Sequence, residues 1–311
     1  MPKTQPTDRT GARRGAKRRP PRSWRQPNRA WGGITAATLV AAVLVAVVVS
    51  GSGSDDAATS GPSPTGFVGG DFHSLAADPT TPGRIFVGGH EAVSVSPDGG
   101  RTWRRVDSLD GADAMGWGFA GSSVYVSGHP GISRSTDGGL TFDKANDGLP
   151  DSDIHAFGAS ASTLYAAGPA TGVIASTDGG RTWSARTTAH GHSFFGRILA
   201  GPEDDQHLVA ADARAGVVES SDGGRSWHRL GGPASPTWVS RSGATLYASG
   251  PRGAARTADG GRTWAELALP PGATLVEADP FDAAALYAGA HDGERVQVLV
   301  SRDGGMRWNR P

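Results

Sequence analysis

The 311-residue chain contains no cysteine, which excludes a disulfide framework, a thiolate metal site and a lipid-modified anchor cysteine. Net charge is also missing, because 30 Lys and Arg balance 30 Asp and Glu. A neutral total offers no overall bias toward nucleic acid or an acidic partner. Aromatic residues are scarce at 7% and there are only 3 methionines, a poor supply for a helical core. Glycine is plentiful instead, with 47 residues, about twice the usual share of ~7%. Many short strands joined by tight turns suit that composition better than helices do.

The balanced charge hides a division. Ten of the basic residues fall in residues 1–30, where Asp8 is the only acid, so this segment carries +9 and the rest of the chain −9. No charged residue occurs from Ala30 to Ser54, and Ile34 to Val49 is a continuous apolar run apart from two threonines. A basic segment of that length in front of the run exceeds a usual signal-peptide n-region, and points to an uncleaved signal-anchor with its basic end inside. Cleavage after Gly51 or Ser54 is the alternative, since small residues follow at once. The expected organisation is a basic cytoplasmic tail at 1–30, a single transmembrane helix at 31–50, a flexible Gly/Ser/Pro/Asp linker at 51–70, and a globular part at 71–311 outside the plasma membrane.

Six segments of the globular part repeat one pattern, S/T-x-D-G-G followed by two residues and then an aromatic: SPDGGRTW, STDGGLTF, STDGGRTW, SSDGGRSW, TADGGRTW and SRDGGMRW. Their aspartates are Asp98, Asp137, Asp178, Asp222, Asp259 and Asp303. The mean spacing of about 40 residues is that of a four-stranded propeller blade. Ahead of each box an alternating run ends in a short phrase: RIFVGG, SVYVSG, TLYAAG, HLVAAD, TLYASG or ALYAGA. Each unit then reads as strand A, strand B (the phrase), strand C, the D-G-G turn and strand D beginning at the aromatic. The expected fold is an all-β, six-bladed propeller with contiguous blades. Because the last strand after Trp308 is very short, residues 64–70 are expected to pair beside it.

These hairpins resemble the BNR, or Asp-box, repeat of sialidases, sortilin-like domains and photosystem assembly factors. In those families the box is a folding element, so the resemblance implies a structural role for all six aspartates. The wider order of phrases, including FHSLAADP, SGHPG and FFGRILA, is similar to bacterial secreted Asp-box proteins labelled glycosyl hydrolase or exo-sialidase-like. Sialidase chemistry requires a tyrosine nucleophile and an arginine triad. The four tyrosines, Tyr125, Tyr165, Tyr247 and Tyr287, all fall at one equivalent position of strand B, where Phe86 and Val209 fill the other two units. That position belongs to the core, which leaves no tyrosine for catalysis, and Arg84-Ile85 and Arg197-Ile198 lack the proline of the sialidase arginine phrase. A membrane-tethered ligand-binding or assembly module is the favoured function. The alternative is a glycoside hydrolase using carboxylates such as Asp71 and Asp153.

Parity in an antiparallel meander puts the Asp boxes and A-to-B turns at one end, and the B-to-C turns and strand-A starts at the other. The second end collects histidines. His90, His129 and His291 are equivalent in B-to-C turns, His73 and His155 are equivalent in Asp-x-His phrases with Asp71 and Asp153, and His190 and His192 precede strand A of unit 4. If His73, His90, His129 and His155 converge at the channel mouth they suit Zn or Cu, with Asp71 or Asp153 orienting a ring; the plain alternative is solvated loop histidines. Trp117 and Trp238 on inner strands are candidate sugar platforms or packing residues. Arg197 and Arg241 would meet an anionic group, or pair with Glu277. No phosphate-binding glycine loop or Ser-His-Asp triad is present, and no nucleic-acid partner is expected.

Overall fold

The computed structural model describes residues 62–201 and 204–311. The basic tail, the apolar run and most of the linker, as far as residue 61, lie outside them. Among the described residues there is no α-helix; 24 strands are joined by turns and one short 3-10 segment at Asp107–Leu109.

Each box belongs to one antiparallel meander. Unit 1 is β2 (Phe72–Ala77), β3 (Ile85–Gly89), β4 (Val93–Ser96) and β5 (Arg104–Arg105); unit 2 is β6 (Asp113–Ala120), β7 (Ser123–His129), β8 (Gly131–Ser135) and β9 (Asp143–Lys144). Unit 3 is β10 (Ala156–Ala159), β11 (Leu164–Gly168), β12 (Gly172–Ser176) and β13 (Ser184–Thr187), and unit 4 is β14 (Phe194–Ala200), β15 (Leu208–Asp212), β16 (Gly216–Ser220) and β17 (His228–Gly231). Unit 5 is β18 (Trp238–Ser242), β19 (Thr245–Gly250), β20 (Gly253–Thr257) and β21 (Ala265–Leu267). The last comprises β22 (Ala273–Ala278), β23 (Leu286–Asp292) and β24 (Arg295–Ser301). Units 3 and 4 share one sheet through a short parallel pairing of β10 with β14. The first strand of every unit packs on the first strand of the next, and β22 packs on β2. This curled array of sheets is a β-propeller.

The fourth strand of the last sheet is β1 (Gly66–Phe67), which pairs antiparallel with β24. Residues 62–70, read from composition as the end of a linker, therefore join the fold. Ser63 bridges Trp103 of unit 1, and the Ser94 hydroxyl donates to the Phe67 carbonyl at 2.7 Å while accepting the Phe67 N–H at 3.0 Å. The Phe67 ring lies against Arg105 of unit 1 and Arg295 of the last unit, with guanidinium carbons 4.6 and 5.6 Å from its centroid. Nine residues thus staple the last sheet to the first.

Alternation along the strands supplies the core. Phe86, Tyr125, Tyr165, Val209, Tyr247 and Tyr287 at the shared strand-B position are all buried, as equivalence predicts. Where the tyrosine hydroxyls are enclosed they have partners: Tyr165 donates to the Asp205 carbonyl at 2.9 Å, and Tyr287 to Asp279 Oδ2 at 2.5 Å.

At each D-G-G turn the chain reverses with both glycines at positive φ, 75° and 95° at Gly99 and Gly100, a region costly for any residue with a Cβ. The turn's backbone donors are taken up by two side chains. In the first box Ser96 Oγ accepts Gly100 N–H at 2.8 Å and donates to Asp98 Oδ1 at 2.9 Å, while Asp98 accepts Thr102 N–H at 2.9 Å and the Thr102 hydroxyl at 2.6 Å. The same Ser/Thr–Asp pairing recurs in the other five boxes. The indole N–H of Trp103, Trp183 and Trp227 donates to the second glycine of its own turn, so strand D starts just after the aromatic rather than on it. Trp264 and Trp308 donate instead to Leu230 and Ala268 of the preceding unit.

These bonds favour the ionised carboxylates. Asp178 is held well below the usual range by the Thr182 hydroxyl and N–H, and Asp259 lies at about 2, through the Thr263 N–H and then its hydroxyl. Partial desolvation is the largest single influence on Asp98 and pulls it upward, but the bonds from Thr102 and Ser96 outweigh it and its pKa is lowered. A depressed carboxyl stabilises the fold fully above the unfolded value of about 4 and loses that contribution as pH falls through the folded value. Chemical denaturation of the protein is therefore expected to give a flat stability near neutrality and a steep loss between about pH 4 and pH 2. Ser96→Ala, which strands the buried Gly100 N–H, is expected to lower stability at neutral pH by about 1–3 kcal/mol.

Candidate functional site

The two ends of the units differ as parity requires. A-to-B turns bond directly to Asp-box turns, as in Gly99 N–H to Gly83 O and Gly223 N–H to Gln206 O. At the other end B-to-C turns meet strand-A starts, with His90 N–H donating to Asp71 O at 3.0 Å and Gly111 N–H to Glu91 O at 2.7 Å. The histidines of units 1 to 3 stand at this second end.

They do not form one four-histidine site but two triads, each with an aspartate as a direct member. In the first, His73 Nδ1 lies 2.6 Å from Asp113 Oδ1, and His90 Nδ1 is 3.8 Å from Asp113 Oδ2. In the second, His129 Nε2 and His155 Nε2 approach the same oxygen, Asp153 Oδ1, at 2.5 and 2.6 Å. Within each triad, one ligand-capable atom per residue can be chosen so that all three lie within 4.8 Å of one another. The expectation that Asp153 orients a ring from behind is thus corrected, since it sits between two rings. Asp71 belongs to neither triad, and contributes its main-chain carbonyl to His90. Asp113 was missed because it starts strand A without the Asp-x-His phrase that marked its counterparts. Its register was nonetheless a usable signal, as Asp113 is directly opposite His129 on the β6–β7 ladder.

Local backbone features aim these side chains. The β2–β3 ladder skips one residue between Phe72 and Ser74, making His73 the extra residue of a bulge, a device that re-aims a side chain out of the alternation. At the end of the strand-B phrase, a Cβ on Gly128 would lie 1.6 Å from the Asp113 carbonyl oxygen. Only glycine lets β7 run that close to Asp113, and the next residue is His129. His155 is packed between rings, stacked on His129 at 5.7 Å and on Phe195 at 5.1 Å between centroids. Burial, first, holds its imidazole below the ordinary value; Asp153 pulls the other way and His129 adds to the lowering. The neutral ring so favoured is the form that offers a lone pair.

The remaining histidines lie apart. His291 donates its Nε2–H to the Gly70 carbonyl at 2.8 Å and stacks on Phe72. His192 has its two ring nitrogens 2.7 and 2.8 Å from the carbonyls of Pro169 and Thr188; these bonds, Thr188 first, raise its pKa by favouring the doubly protonated ring. Beside the triads a cleft of about 190 Å³ is lined by Asp113, Gly128, His129, Ser133, Phe142 and Lys144, among others.

The inner-strand tryptophans are packing residues. Trp117 and Trp238 are both fully buried, and neither leaves a ring face for a sugar. Trp117 stacks on Phe86 at 4.7 Å and donates to Ser74 Oγ at 2.8 Å; Trp238 donates to Glu277 Oε2 at 2.9 Å. Arg197 pairs with Glu277 at 2.6 Å, the second of the two alternatives that its position allowed. Glu277 is 2% exposed and also accepts the Ala77 N–H at 3.2 Å. Burial pushes its carboxyl up, against the opposing pull of Arg197 and Trp238. One carboxylate thereby ties inner strands of units 1, 4, 5 and 6 across the channel. Arg241 makes no ion pair among the described residues; burial, and then the nearby Arg197 charge, press it below the usual guanidinium range. Arg197→Met should cost about 3–5 kcal/mol because it strands a buried carboxylate. Adding Glu277→Gln, which removes that charge but keeps an oxygen for Trp238, should restore most of the loss in equilibrium denaturation.

The BNR/Asp-box repeat family model matches residues 174–185, the third box. No curated protein matches the sequence. Among solved structures the chain is similar to a GH74 xyloglucanase from Xanthomonas campestris, with TM-score 0.54 and 16% identity over 78% of this chain and 45% of that one. It is also similar to YCF48 bound to D1 peptide, with TM-score 0.50 and 15% identity over 78% and 82% of the two chains. A third resemblance is to a chain of the nidogen/laminin complex, at TM-score 0.57 and 12% identity over 73% and 93%. The chain spans less than half the length of the xyloglucanase. Likenesses at these identities concern fold alone, and they agree with the strand arrangement: the chain is a β-propeller carrying a BNR/Asp-box repeat.

Proposed function

We propose that the protein is a six-bladed propeller, tethered outside the plasma membrane by residues 31–50, that acts as a binding or assembly module through the end bearing the two His–Asp triads. The observation that carries this reading is the contrast between the ends. At the Asp-box end the polar side chains are consumed in closing turns. At the other, six imidazoles and carboxylates gather over units 1 to 3 beside a cleft, more chemistry than turn closure requires. Six blades are supported by six meanders whose first strands follow one another round to β2. The tether is supported by the +9 segment before an uncharged apolar run. A module that binds a protein or carbohydrate without cutting it is in keeping with propeller neighbours whose structures are of a peptide complex and of a nidogen/laminin complex.

A glycoside hydrolase is the second reading, favoured by the likeness to a xyloglucanase. Against it, Asp153 is held by two imidazoles, Asp71 stands outside that group, and both candidate sugar platforms are buried. The two readings part on turnover: the protein is expected to release no product from xyloglucan or a panel of aryl glycosides. Turnover that disappears in Asp71→Asn or Asp153→Asn would overturn the binding-module reading. Topology is checked separately, since protease added to intact cells should release the folded propeller, whereas complete protection would place it inside.

A further inference from the structure

We infer that the two triads are a pair of neighbouring divalent transition-metal sites, His73–His90–Asp113 and His129–Asp153–His155, each with one coordination position open to an incoming ligand. This rests on reading that end of the propeller as the ligand face. Two imidazoles and one carboxylate form a borderline donor set suited to Zn(II) or Cu(II), and three protein ligands are the number that leaves a tetrahedral ion one free position. In both triads the donor atoms are grouped closely enough that movements of about an ångström would set them around an ion at ~2.0–2.2 Å.

A second observation points the same way. Asp113 is 8% exposed, yet its carboxylate has only the imidazoles of His73 and His90 as polar partners among the described residues, with no backbone N–H and no Arg or Lys. A buried carboxylate is stabilised by a positive charge held beside it. A cation held jointly by Asp113, His73 and His90 supplies that charge. In the second triad the paired stacking of His155 on His129 and Phe195 fixes ring direction without spending a ring nitrogen. The sites are adjacent because Asp113 of one and His129 of the other face each other across one ladder. The neighbouring cleft is lined by one member of each triad, Asp113 and His129, so a group with two separated donors, such as a dicarboxylate or a carboxylate beside an imidazole, is the chemistry this face would take.

The test is Zn(II) alone, titrated calorimetrically and by equilibrium dialysis into the full-length chain. Two ions per chain are expected, with one lost in Asp113→Asn, the other in Asp153→Asn, and both in the double variant. His228→Ala, an exposed histidine far from either group in sequence, should retain two. Should an Asn variant fail to fold, His90→Ala and His129→Ala, both exposed, carry the same subtraction. No binding, a count unchanged in every variant, or a total of one ion per chain that each single variant abolishes would overturn the two-site inference and leave ordinary His–Asp hydrogen bonds. That result beside an absence of glycoside turnover leaves the binding-module reading standing. Turnover lost in Asp71→Asn overturns the module reading whatever the zinc count.

Discussion

The pairing of a Ser or Thr hydroxyl with the box aspartate is the interaction on which the rest of the structure depends. A two-glycine turn at positive φ exposes backbone donors that no neighbouring strand can reach, and leaving them unmade inside a sheet costs free energy. In each box Oγ takes the second glycine's N–H and the carboxylate takes the N–H two residues further on. Strand C is thereby forced back into strand D, and the chain arrives at the next unit from the opposite end. Repeating this six times sends every strand A off from the same side. The histidine-bearing end exists because the Asp-box end is closed so completely.

Two further constraints turn a row of meanders into a closed body. On the outside, β1 adds a fourth strand to the last sheet while Ser63 and Phe67 reach unit 1. On the inside, Glu277 gathers Arg197, Trp238 and the Ala77 N–H from other inner strands. A buried pair of this kind is not in itself strong evidence for stability, given the desolvation it costs. Its geometric effect is clearer: the charged groups meet only when the inner strands have closed on one another. The channel is thus filled by structural chemistry at this level, which leaves the strand-A starts to carry the exposed polar groups.

Much of this was legible in advance because it repeats. Six equivalent boxes, a common aromatic position on strand B and antiparallel parity were enough to place the tyrosines in the core and the histidines at the end away from the boxes. Even the pairing of residues 64–70 with the last sheet followed from an unpaired edge beside a short final strand. Features that occur once were harder. Nothing local distinguishes Asp113 from other turn-flanking aspartates, and the burial of Trp117 and Trp238 depends on partners from different units, Phe86 and Ser74 for one and Glu277 for the other.

The sequence by itself determined the all-β repeat, the position of the turns, and which end of each unit a residue occupies, since these follow from glycine conformation, side-chain capping and the two-residue period of a strand. Tertiary structure alone decided which side chains meet. His73 reaches Asp113 through a bulge that shifts the register by one residue, and His129 reaches Asp153 across the boundary between units 2 and 3. Equivalent positions on neighbouring units share a height but not a location, because each unit is rotated from the last. Four histidines that alignment places at one level were therefore divided between two boundaries, each with its own carboxylate.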